Sequence, residues 1–402
     1  MKKLRSIEDL DTVCDSAQHV LTLFSGGLDS TYILELLSKK DVKVTALVVD
    51  LGAEIDVSSL GLISKHYDID LRIVDAKNDL VEGAIVAAIR SQALYLGDYP
   101  VSSSLSRPCI VKKAVEVAQE LNCDAIIHSA NQSQNSLRRL NGAIESSTFD
   151  GFYGSPYEYS ALTREEKSNA VVASGLVSFK SRNVSGDENL WCREFESGIL
   201  DDPENFNLPE SLFTWSKWDP LQHFDHHQVN IGFFKGYPVT INNHPMDLIQ
   251  IISTLNSRAG AYEMGRYVGF DHLDNDEKVL EIREAPAATL LMRAYKLLET
   301  AILPTDVLRT KSLHNDIWTQ EAVEGRWESV LKEASYAFIQ HTSTQITGHV
   351  TFQLSRGNAI AKRIVGRHAK YLCNRDDWEV QIAQQRSLRS LPRNENKIIE
   401  TI

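Results

Sequence analysis

The stretch "LTLFSGGLDSTYILELL" (residues 21–37) runs from an apolar segment through a Ser-Gly-Gly turn into a helical pattern without interruption. A strand that enters a helix through such a turn directs backbone N–H groups and the positive end of the helix toward one point. Ser25, Ser30 and Thr31 add hydroxyl donors, and the glycines permit close approach of the backbone. The stretch predicts an anion-binding loop. It contains no lysine and matches neither G-x-x-x-x-G-K-[ST] nor G-x-G-x-x-G, so transfer of a γ-phosphoryl group is a poor prediction.

Around this loop, strand-like and helix-like segments alternate over residues 1–170, which is typical of a parallel sheet covered by helices. Strands are predicted over residues 19–24, 42–49, 70–75 and 124–129, and helices over residues 28–39, 55–66, 79–95 and 108–121. Pro108 is expected to open the last helix, where a missing N–H is harmless. Residues 147–160 are predicted to form a loop, and a capping box of Thr163 and Glu166 then predicts a short helix.

The rest of the chain predicts an α+β domain over residues 171–375. Its predicted elements are strands over residues 229–234 and 237–242, helices over residues 246–257 and 285–301, and a hairpin that turns at residues 356–358. Residues 376–402 are predicted to form a polar tail or docking arm. The expected fold class is therefore α/β, with a parallel-sheet domain followed by an α+β domain.

The composition of this chain of 402 residues limits the classes of partner that it is expected to bind. Its formal net charge of −12 disfavours nucleic acid as a partner. No segment reaches the ~20 apolar residues of a membrane span, and the first residues lack the apolar segment of a signal peptide. These features predict a cytoplasmic protein without membrane contact. The five cysteines lie far apart with no C-x-x-C pair, which predicts reduced structural thiols rather than a metal or redox site.

The S-G-G-x-D-S pattern of the loop resembles that of the PP-loop ATP pyrophosphatases, which cleave ATP between the α and β phosphates. Further segments resemble argininosuccinate synthases, in order and over most of the chain. They are "ALYLGDYPVSSSLSRPCIVKKAVEVAQE" (93–120), "DENLWCREFESGILDDP" (187–203), "NSRAGAYEMGR" (256–266), "REAPAATLL" (283–291) and "VTFQLSRGNAIAKRIVGRHAKYL" (350–372). The chain is identified as a member of the argininosuccinate synthase family.

That resemblance implies a HUP-like PP-loop nucleotide-binding domain, a C-terminal synthetase domain and a tail that helps to assemble homotetramers. It also implies ATP and Mg2+ as cofactors. In this family a urea oxygen of citrulline attacks the α-phosphate, pyrophosphate leaves, and the amino group of aspartate displaces AMP. Such a reaction depends on positioning and on neutralising charge, so no protein nucleophile is required. The implied activity is an AMP- and pyrophosphate-forming carbon–nitrogen ligation with small-molecule amine and acceptor substrates.

The family's ATP contacts are well matched in this sequence. The resemblance assigns catalytic roles to Asp29 and Ser30. It assigns ATP binding to Leu23, Phe24, Ser25, Gly26, Gly27, Leu28, Asp29, Ser30, Thr31, Ala46 and Ser129. Ser129 takes the place of a glycine, and no residue of the chain is assigned to bind a metal.

The family's substrate contacts are only partly matched. Asn131 replaces a threonine that holds an aspartate carboxylate, and Ser136 replaces an aspartate that pairs with the substrate's ammonium. Loss of that carboxylate is expected to weaken binding of aspartate in the family's pose. Three further positions are altered, namely Glu194 for serine, Asp271 for glutamate and Arg283 for tyrosine. The remaining residues assigned to the substrate pocket are Tyr95, Ser103, Ser104, Asn135, Arg139 and Ser185.

These departures leave alternatives. Glu194 and Arg283 form either a compensating ion pair in a reshaped pocket or two unrelated surface substitutions. The substrates are citrulline and aspartate or altered analogues of them. The alternative function is a PP-loop RNA thiolation enzyme or a non-catalytic ATP-binding regulator, and the acidic charge and missing C-x-x-C disfavour thiolation.

Two further features have less specific interpretations. His223, His226 and His227 beside Asp225 suggest a metal cluster, but a solvated loop is the preferred interpretation because no ligand framework accompanies them. Cys109 follows Arg107 and Pro108 near the expected pocket, where a packing role is preferred over a catalytic thiol.

Overall fold

The computed structural model describes residues 2–176, 185–219, 227–273 and 276–389. The first part of the chain forms eight strands within the described residues: β1 (Lys2–Leu4), β2 (His19–Leu23), β3 (Lys43–Asp50), β4 (Asp70–Asp75), β5 (Leu94–Tyr95), β6 (Tyr99–Pro100), β7 (Ala125–Ile127) and β8 (Phe152–Gly154). The helices are α1 (Ile7–Ser16), α2 (Leu28–Leu37), α3 (Val57–His66), α4 (Lys77–Leu80), α5 (Val86–Arg90), α6 (Ser103–Leu121), α7 (Ser136–Glu145) and α8 (Arg164–Ala173). A π-helical segment, Val81–Ile85, joins α4 to α5.

Six of these strands form one parallel sheet in the order β1-β8-β7-β2-β3-β4. Its central strands are short apolar runs buried on both faces, because helices cover the sheet on each side. The carboxyl ends of β2, β3 and β7 therefore meet at one edge of the sheet. The loops that follow these strands include the S-G-G-x-D-S stretch and residues 128–135, so the topology brings the two segments together. The parallel-sheet prediction is confirmed.

The second part of the chain forms antiparallel sheets and helices. Its strands are β9 (Ser185–Glu188), β10 (Arg193–Glu196), β11 (Gln228–Phe234), β12 (Tyr237–Ile241), β13 (His244–Pro245), β14 (Arg266–His272), β15 (Lys278–Glu284), β16 (Gly348–Ser355) and β17 (Asn358–Gly366). Its helices are α9 (Leu248–Gly260), α10 (Pro286–Ile302), α11 (Thr305–Val323), α12 (Val330–Ser343) and α13 (Arg375–Arg389). The predicted α+β organisation and the hairpin between β16 and β17 are confirmed.

A second sheet has four antiparallel strands in the order β14-β15-β10-β9. Successive side chains of a strand point to opposite faces, so Glu194 and Glu196 share one face of β10 while Phe195 lies on the other. Phe195 packs with Leu280 and Ile282 in a separate apolar cluster. The opposite, polar face is thereby directed toward the parallel sheet.

Three sequence predictions in the first domain are wrong in detail. Helix α6 begins at Ser103, so Pro108 lies inside the helix rather than at its start. The start of α6 is missed because its first turn consists largely of buried serines, which do not produce the apolar periodicity by which a helix is predicted. The helix predicted over 79–95 is instead α4, the π-helical segment and α5, and it ends at Arg90.

The third error concerns residues 147–160, which contain strand β8 rather than only a loop. This strand joins β7 to β1 within the parallel sheet. It is three residues long and lacks the β-branched residues from which the other strands of this sheet are predicted. Its Gly154 has φ of 135°, and a Cβ there would lie 2.1 Å from the carbonyl oxygen of Leu4. The glycine that suggests a loop is therefore required by close approach of two strands.

Candidate active site

The loop after β2 adopts the geometry expected of an anion site. Gly26 has φ of 71°, a left-handed conformation that favours glycine, and Gly27 is the N-cap of α2. The hydroxyl of Ser30 donates to the carbonyl oxygen of Gly27 at 3.1 Å and accepts from the backbone N–H of Ser25 at 3.3 Å. These bonds fix the turn, so that the N-terminus of α2 opens toward a cavity.

That cavity has a volume of about 610 Å³ and connects the loop to the polar face of the antiparallel sheet. Of the residues assigned to ATP, those that line it are Leu23, Phe24, Ser25, Gly26, Gly27, Leu28, Asp29, Ser30 and Ser129. Thr31 and Ala46 are fully buried and do not line it. The residue that follows Ala46, Leu47, does line the cavity.

His128 is a cavity residue that the sequence did not single out. Its Nε2 lies 2.9 Å from Oδ1 of Asn141, and its Nδ1 accepts from the backbone N–H of Ala130 at 3.4 Å. Burial lowers the pKa of His128 to about 4, so the ring is neutral at physiological pH. His128 therefore contributes no positive charge to the anion site at physiological pH.

Asp29 is held by two residues from distant parts of the chain. Lys167 of α8 forms an ion pair with its Oδ1, and the side-chain amide of Asn131 donates to its Oδ2 at 3.2 Å. Lys167 is absent from the residues assigned from the sequence. The available signal was its spacing of four residues from Val171, which places both side chains on the buried face of α8.

The wall opposite the loop contains a cluster of three buried ionisable side chains. Arg283 of β15 forms ion pairs with Glu194, its direct neighbour on β10, and with Glu281 on its own strand. The side chains of Glu194 and Arg283 are only 11% and 4% exposed, so the surface-substitution interpretation is wrong and the ion-pair interpretation is confirmed. The ring of Tyr99 lies 4.4 Å from the guanidinium, and the backbone N–H of Ser103 donates to Glu194 at 3.2 Å.

Burial shifts the pKa values of the carboxyl groups of this wall. Burial raises the pKa of Glu281 to about 8, because Arg283 only partly offsets the desolvation and the nearby carboxylates of Asp271, Glu194 and Glu196. Burial also raises the pKa of Glu196, whose carboxylate accepts from the neutral amide of Gln134 at 2.9 Å. Both glutamates line the cavity.

A second buried network lies behind this wall. The amide of Asn135 donates to Oδ2 of Asp271 at 2.6 Å, and Arg139 contacts the same oxygen at 3.4 Å. Arg139 also donates to the hydroxyl of Ser103 at 2.7 Å. Burial acts to raise the pKa of Asp271, but Arg139, Arg283 and Asn135 outweigh it and hold the pKa below its usual value. Ser103, Asn135 and Arg139 line the cavity, whereas Asp271 does not.

Of the remaining residues assigned to the substrate pocket, some line the cavity and others do not. Ser136 lines the cavity and its hydroxyl accepts from Nε of Arg107 at 3.0 Å. The hydroxyl of Tyr95 lies 2.6 Å from Nδ1 of His272, outside the cavity lining, and Ser104 is buried away from it. The side chain of Ser185 lies outside the described residues. Arg107 itself, paired with Asp187 at 2.9 Å, is a cavity residue not assigned from the sequence.

The other candidate sites have ordinary structural roles where they are described. Cys109 is buried in the main apolar core, and burial raises the pKa of its thiol to about 12. Nδ1 of His227 lies 2.6 Å from the hydroxyl of Tyr262, while His223, Asp225 and His226 lie outside the described residues. Trp218 packs edge-on against Tyr262.

No metal cage is found in the described ranges, where no group of three or more His, Cys, Asp or Glu side chains is placed to hold an ion. Both oxygens of Asp29 are already occupied by protein groups. The described residues therefore do not form a cage of protein ligands for a resident Mg2+ ion. Within the same ranges, no helix has the length and apolar character needed to cross a bilayer.

Comparison with known proteins gives consistent results over both parts of the chain. The family model described as "Arginosuccinate synthase N-terminal HUP domain" matches residues 19–174. The model described as "Arginosuccinate synthase C-terminal domain" matches residues 184–386. Among solved structures, NMN synthetase from Francisella tularensis has 13% identity and a TM-score of 0.30 over 42% of this chain and 69% of that chain, too weak a likeness to support an inference.

Curated relatives extend the likeness over nearly the whole chain. The protein named argininosuccinate synthase from Methanocaldococcus jannaschii is 34% identical, with 87% of this chain and 88% of that protein covered. Proteins of the same name from Pyrococcus furiosus and Dictyoglomus turgidum are 33% and 31% identical. The match to the Pyrococcus furiosus protein covers 87% of this chain and 84% of that protein. The match to the Dictyoglomus turgidum protein covers 88% of each. The chain therefore belongs to the argininosuccinate synthase family of ATP-dependent carbon–nitrogen ligases.

Proposed function

We propose that this ligase adenylates a urea- or amide-type oxygen of a small acceptor, releases pyrophosphate, and joins an amine to the activated carbon as AMP departs. The observation that carries the proposal is the single cavity that connects the S-G-G-x-D-S loop with the polar sheet face. The loop provides the N-terminus of α2 for the phosphates, and the sheet face provides charged groups for the acceptor and the amine. Mg2+ would arrive bound to ATP.

The chain's own groups act by positioning rather than by covalent attack. In this proposal, Ser25 and the backbone of Gly26 and Gly27 hold the departing pyrophosphate. Arg107 is one of the cationic side chains that line the cavity, where, paired with Asp187, it would orient an anionic intermediate. Such preorganised charges favour the transition state without a protein nucleophile.

We further propose that the substrates are altered analogues of citrulline and aspartate. The hydroxyl groups expected at two positions of the acceptor pocket are replaced by the ion pair of Glu194 and Arg283. At two positions of the aspartate pocket, Asn131 is engaged by Asp29 and Ser136 by Arg107. Each of these side chains already has a protein partner, which differs from the contact expected in the family.

The test is release of AMP and pyrophosphate from ATP and Mg2+ with a panel of acceptor and amine pairs that includes citrulline with aspartate. Release that requires both members of a different pair is the expected result. Efficient turnover of citrulline with aspartate would contradict the altered-substrate proposal and leave the ligase proposal intact. If ATP binds but no pair stimulates release, the non-catalytic ATP-binding regulator is favoured.

The thiolation alternative has less support, because no cysteine lines the cavity in the described part of the chain and Cys109 is a buried thiol with a raised pKa. Homotetramer assembly and a cytoplasmic location stay predictions. Sedimentation of the full chain tests the first, since a monomer would contradict it. The predicted tail is described only as far as helix α13.

A further inference from the structure

Asp29 combines two properties that conflict. It lies in the first turn of α2, at the point where the loop offers backbone N–H groups and a partial positive charge to an anion. Its own carboxylate carries the same sign of charge as the phosphates expected there. A negative side chain at an anion site weakens anion binding unless another group neutralises it.

Lys167 is placed to provide that neutralisation. Its ammonium forms an ion pair with Oδ1 of Asp29, and its side chain is only 7% exposed. The pair joins α8 to the loop across 138 residues of sequence. No residue of the loop supplies a cation, so the cationic partner of Asp29 comes from a distant helix.

The surroundings of Lys167 fix its position relative to the loop. Its ammonium lies 4.6 Å from the centre of the Tyr157 ring, a distance at which the ring attracts a cation. The hydroxyl of Tyr157 in turn donates to the backbone carbonyl oxygen of Asp29 at 2.8 Å. The capping box of Thr163 and Glu166 holds the start of α8. The cation is therefore in place before any ligand enters.

We propose that Lys167 is a positioning residue of the pyrophosphate-binding loop, which acts through Asp29 by neutralising its carboxylate and holding it away from the phosphate chain. With Asn131 on the second oxygen, Asp29 serves as an anchor between the loop and its neighbours rather than as an open metal ligand. This inference rests on the proposed function, because it requires the phosphates of ATP to occupy the loop.

A purely structural role of Lys167 predicts a different pattern of ligand affinities. If Lys167 only joined α8 to α2, its loss would disturb the whole nucleotide site and weaken every ligand in proportion. If it acts on charge, the effect scales with the charge of the ligand. Pyrophosphate and ATP then lose affinity, whereas uncharged adenosine does not.

The experiment measures equilibrium binding of adenosine, ATP and pyrophosphate to the full chain in EDTA, without divalent cations. Lys167→Met is expected to weaken ATP and pyrophosphate about tenfold, a typical effect of one partly screened charge, and adenosine less than about twofold. Lys167→Arg should retain most of the wild-type affinity. Lys113→Met is the matched control, because Lys113 forms a partly buried ion pair with Asp79 outside the cavity. It should leave all three affinities unchanged.

A second variant keeps the inference testable if Lys167→Met does not fold. Asp29→Asn removes the negative charge but keeps Lys167, so pyrophosphate in EDTA should bind at least as tightly as to wild type. Weaker pyrophosphate binding by Asp29→Asn overturns the inference. So does a Lys167→Met protein with unchanged affinities or with equal losses for adenosine and pyrophosphate. If wild type binds neither ATP nor pyrophosphate, the proposed function fails as well.

Discussion

Glu194 and Arg283 lie directly opposite each other on adjacent antiparallel strands and form a buried ion pair in the wall of the cavity. Glu281, two residues before Arg283, shares the same guanidinium. Arg283 thus contacts two buried carboxyl groups, and the raised pKa of Glu281, about 8, keeps that group protonated at neutral pH. Removal of the arginine would leave both without a cationic partner, whereas removal of Glu194 leaves the pair of Arg283 and Glu281.

Arg283→Tyr is therefore expected to lower the free energy of unfolding by about 3–5 kcal/mol, as is typical when one partner of a buried pair is removed. The double variant with Glu194→Ser should recover part of this loss, with a coupling free energy of about 0.5–3 kcal/mol. Denaturant unfolding of the two single variants and the double variant measures both values. Strictly additive losses would show that the two side chains do not interact.

The exposed pair of Arg309 and Asp306 provides the control for that comparison. Arg309→Met should change the free energy of unfolding by less than about 0.5 kcal/mol, because solvent screens such a pair.

The raised pKa of Glu281 predicts a pH dependence of stability. Its pKa moves from 4.5 to about 8 on folding, so the folded state holds a proton that the unfolded state releases between these values. The stabilisation is complete below pH 4.5 and declines as the pH rises to about 8, by up to about 1.4 kcal/mol per pH unit. Glu281→Gln should flatten this decline in denaturant unfolding from pH 5 to 8.

Glu321 is the control of opposite sign, because its hydrogen bond to Arg326 lowers its pKa. Glu321→Gln should remove a stabilisation that is present above its unfolded pKa, near 4.5, and lost as the pH falls below it. A Glu281→Gln protein with the wild-type decline from pH 5 to 8 would show that another group titrates.

Asp29→Ala is expected to abolish release of AMP and pyrophosphate with every substrate pair. The change removes the anchor for Lys167 and Asn131 at the start of α2, so the loop loses its fixed position. Release is measured under saturating ATP and Mg2+. Residual turnover within about tenfold of wild type would exclude a catalytic contribution of Asp29 of more than about 1.4 kcal/mol.

Ser136→Asp tests the pose of aspartate. If the pocket keeps the family's pose, the new carboxylate should pair with the substrate's ammonium and lower KM for aspartate. Because Nε of Arg107 lies 3.0 Å from the hydroxyl of Ser136, we expect the carboxylate to pair with Arg107 instead. KM for aspartate should then stay unchanged in steady-state assays. A tenfold fall would indicate that aspartate is the amine.

The two glycines of the loop should differ in their tolerance of alanine. Gly26 has φ of 71°, so Gly26→Ala should lower the free energy of unfolding by about 1–2 kcal/mol and weaken ATP binding. Gly27 has φ of −76°, and its added Cβ would lie 3.3 Å from the hydroxyl oxygen of Ser25. Gly27→Ala should therefore cost about 0.5 kcal/mol or less. Equal losses in denaturant unfolding would contradict the conformational argument.

The parts of the fold that are predictable from sequence have strong local patterns. The four apolar runs that form β2, β3, β4 and β7 are predicted to within one or two residues at each end. The capping box of α8 and the hairpin of β16 and β17 are also predicted, because each depends on residues close in sequence. Strands β1 and β8 are not predicted, because their sequences, Lys-Lys-Leu and Phe-Tyr-Gly, lack the β-branched apolar residues that mark β7.

The sequence by itself determined the anion-binding loop, the parallel sheet beneath it and the family, since each is encoded in short runs of residue types. Only the tertiary structure decided which charges meet. Lys167 reaches Asp29 across 138 residues, and Arg283 reaches Glu194 across 89. Ion pairs of this kind depend on helix packing and strand register, which bring together residues whose partners no sequence spacing specifies.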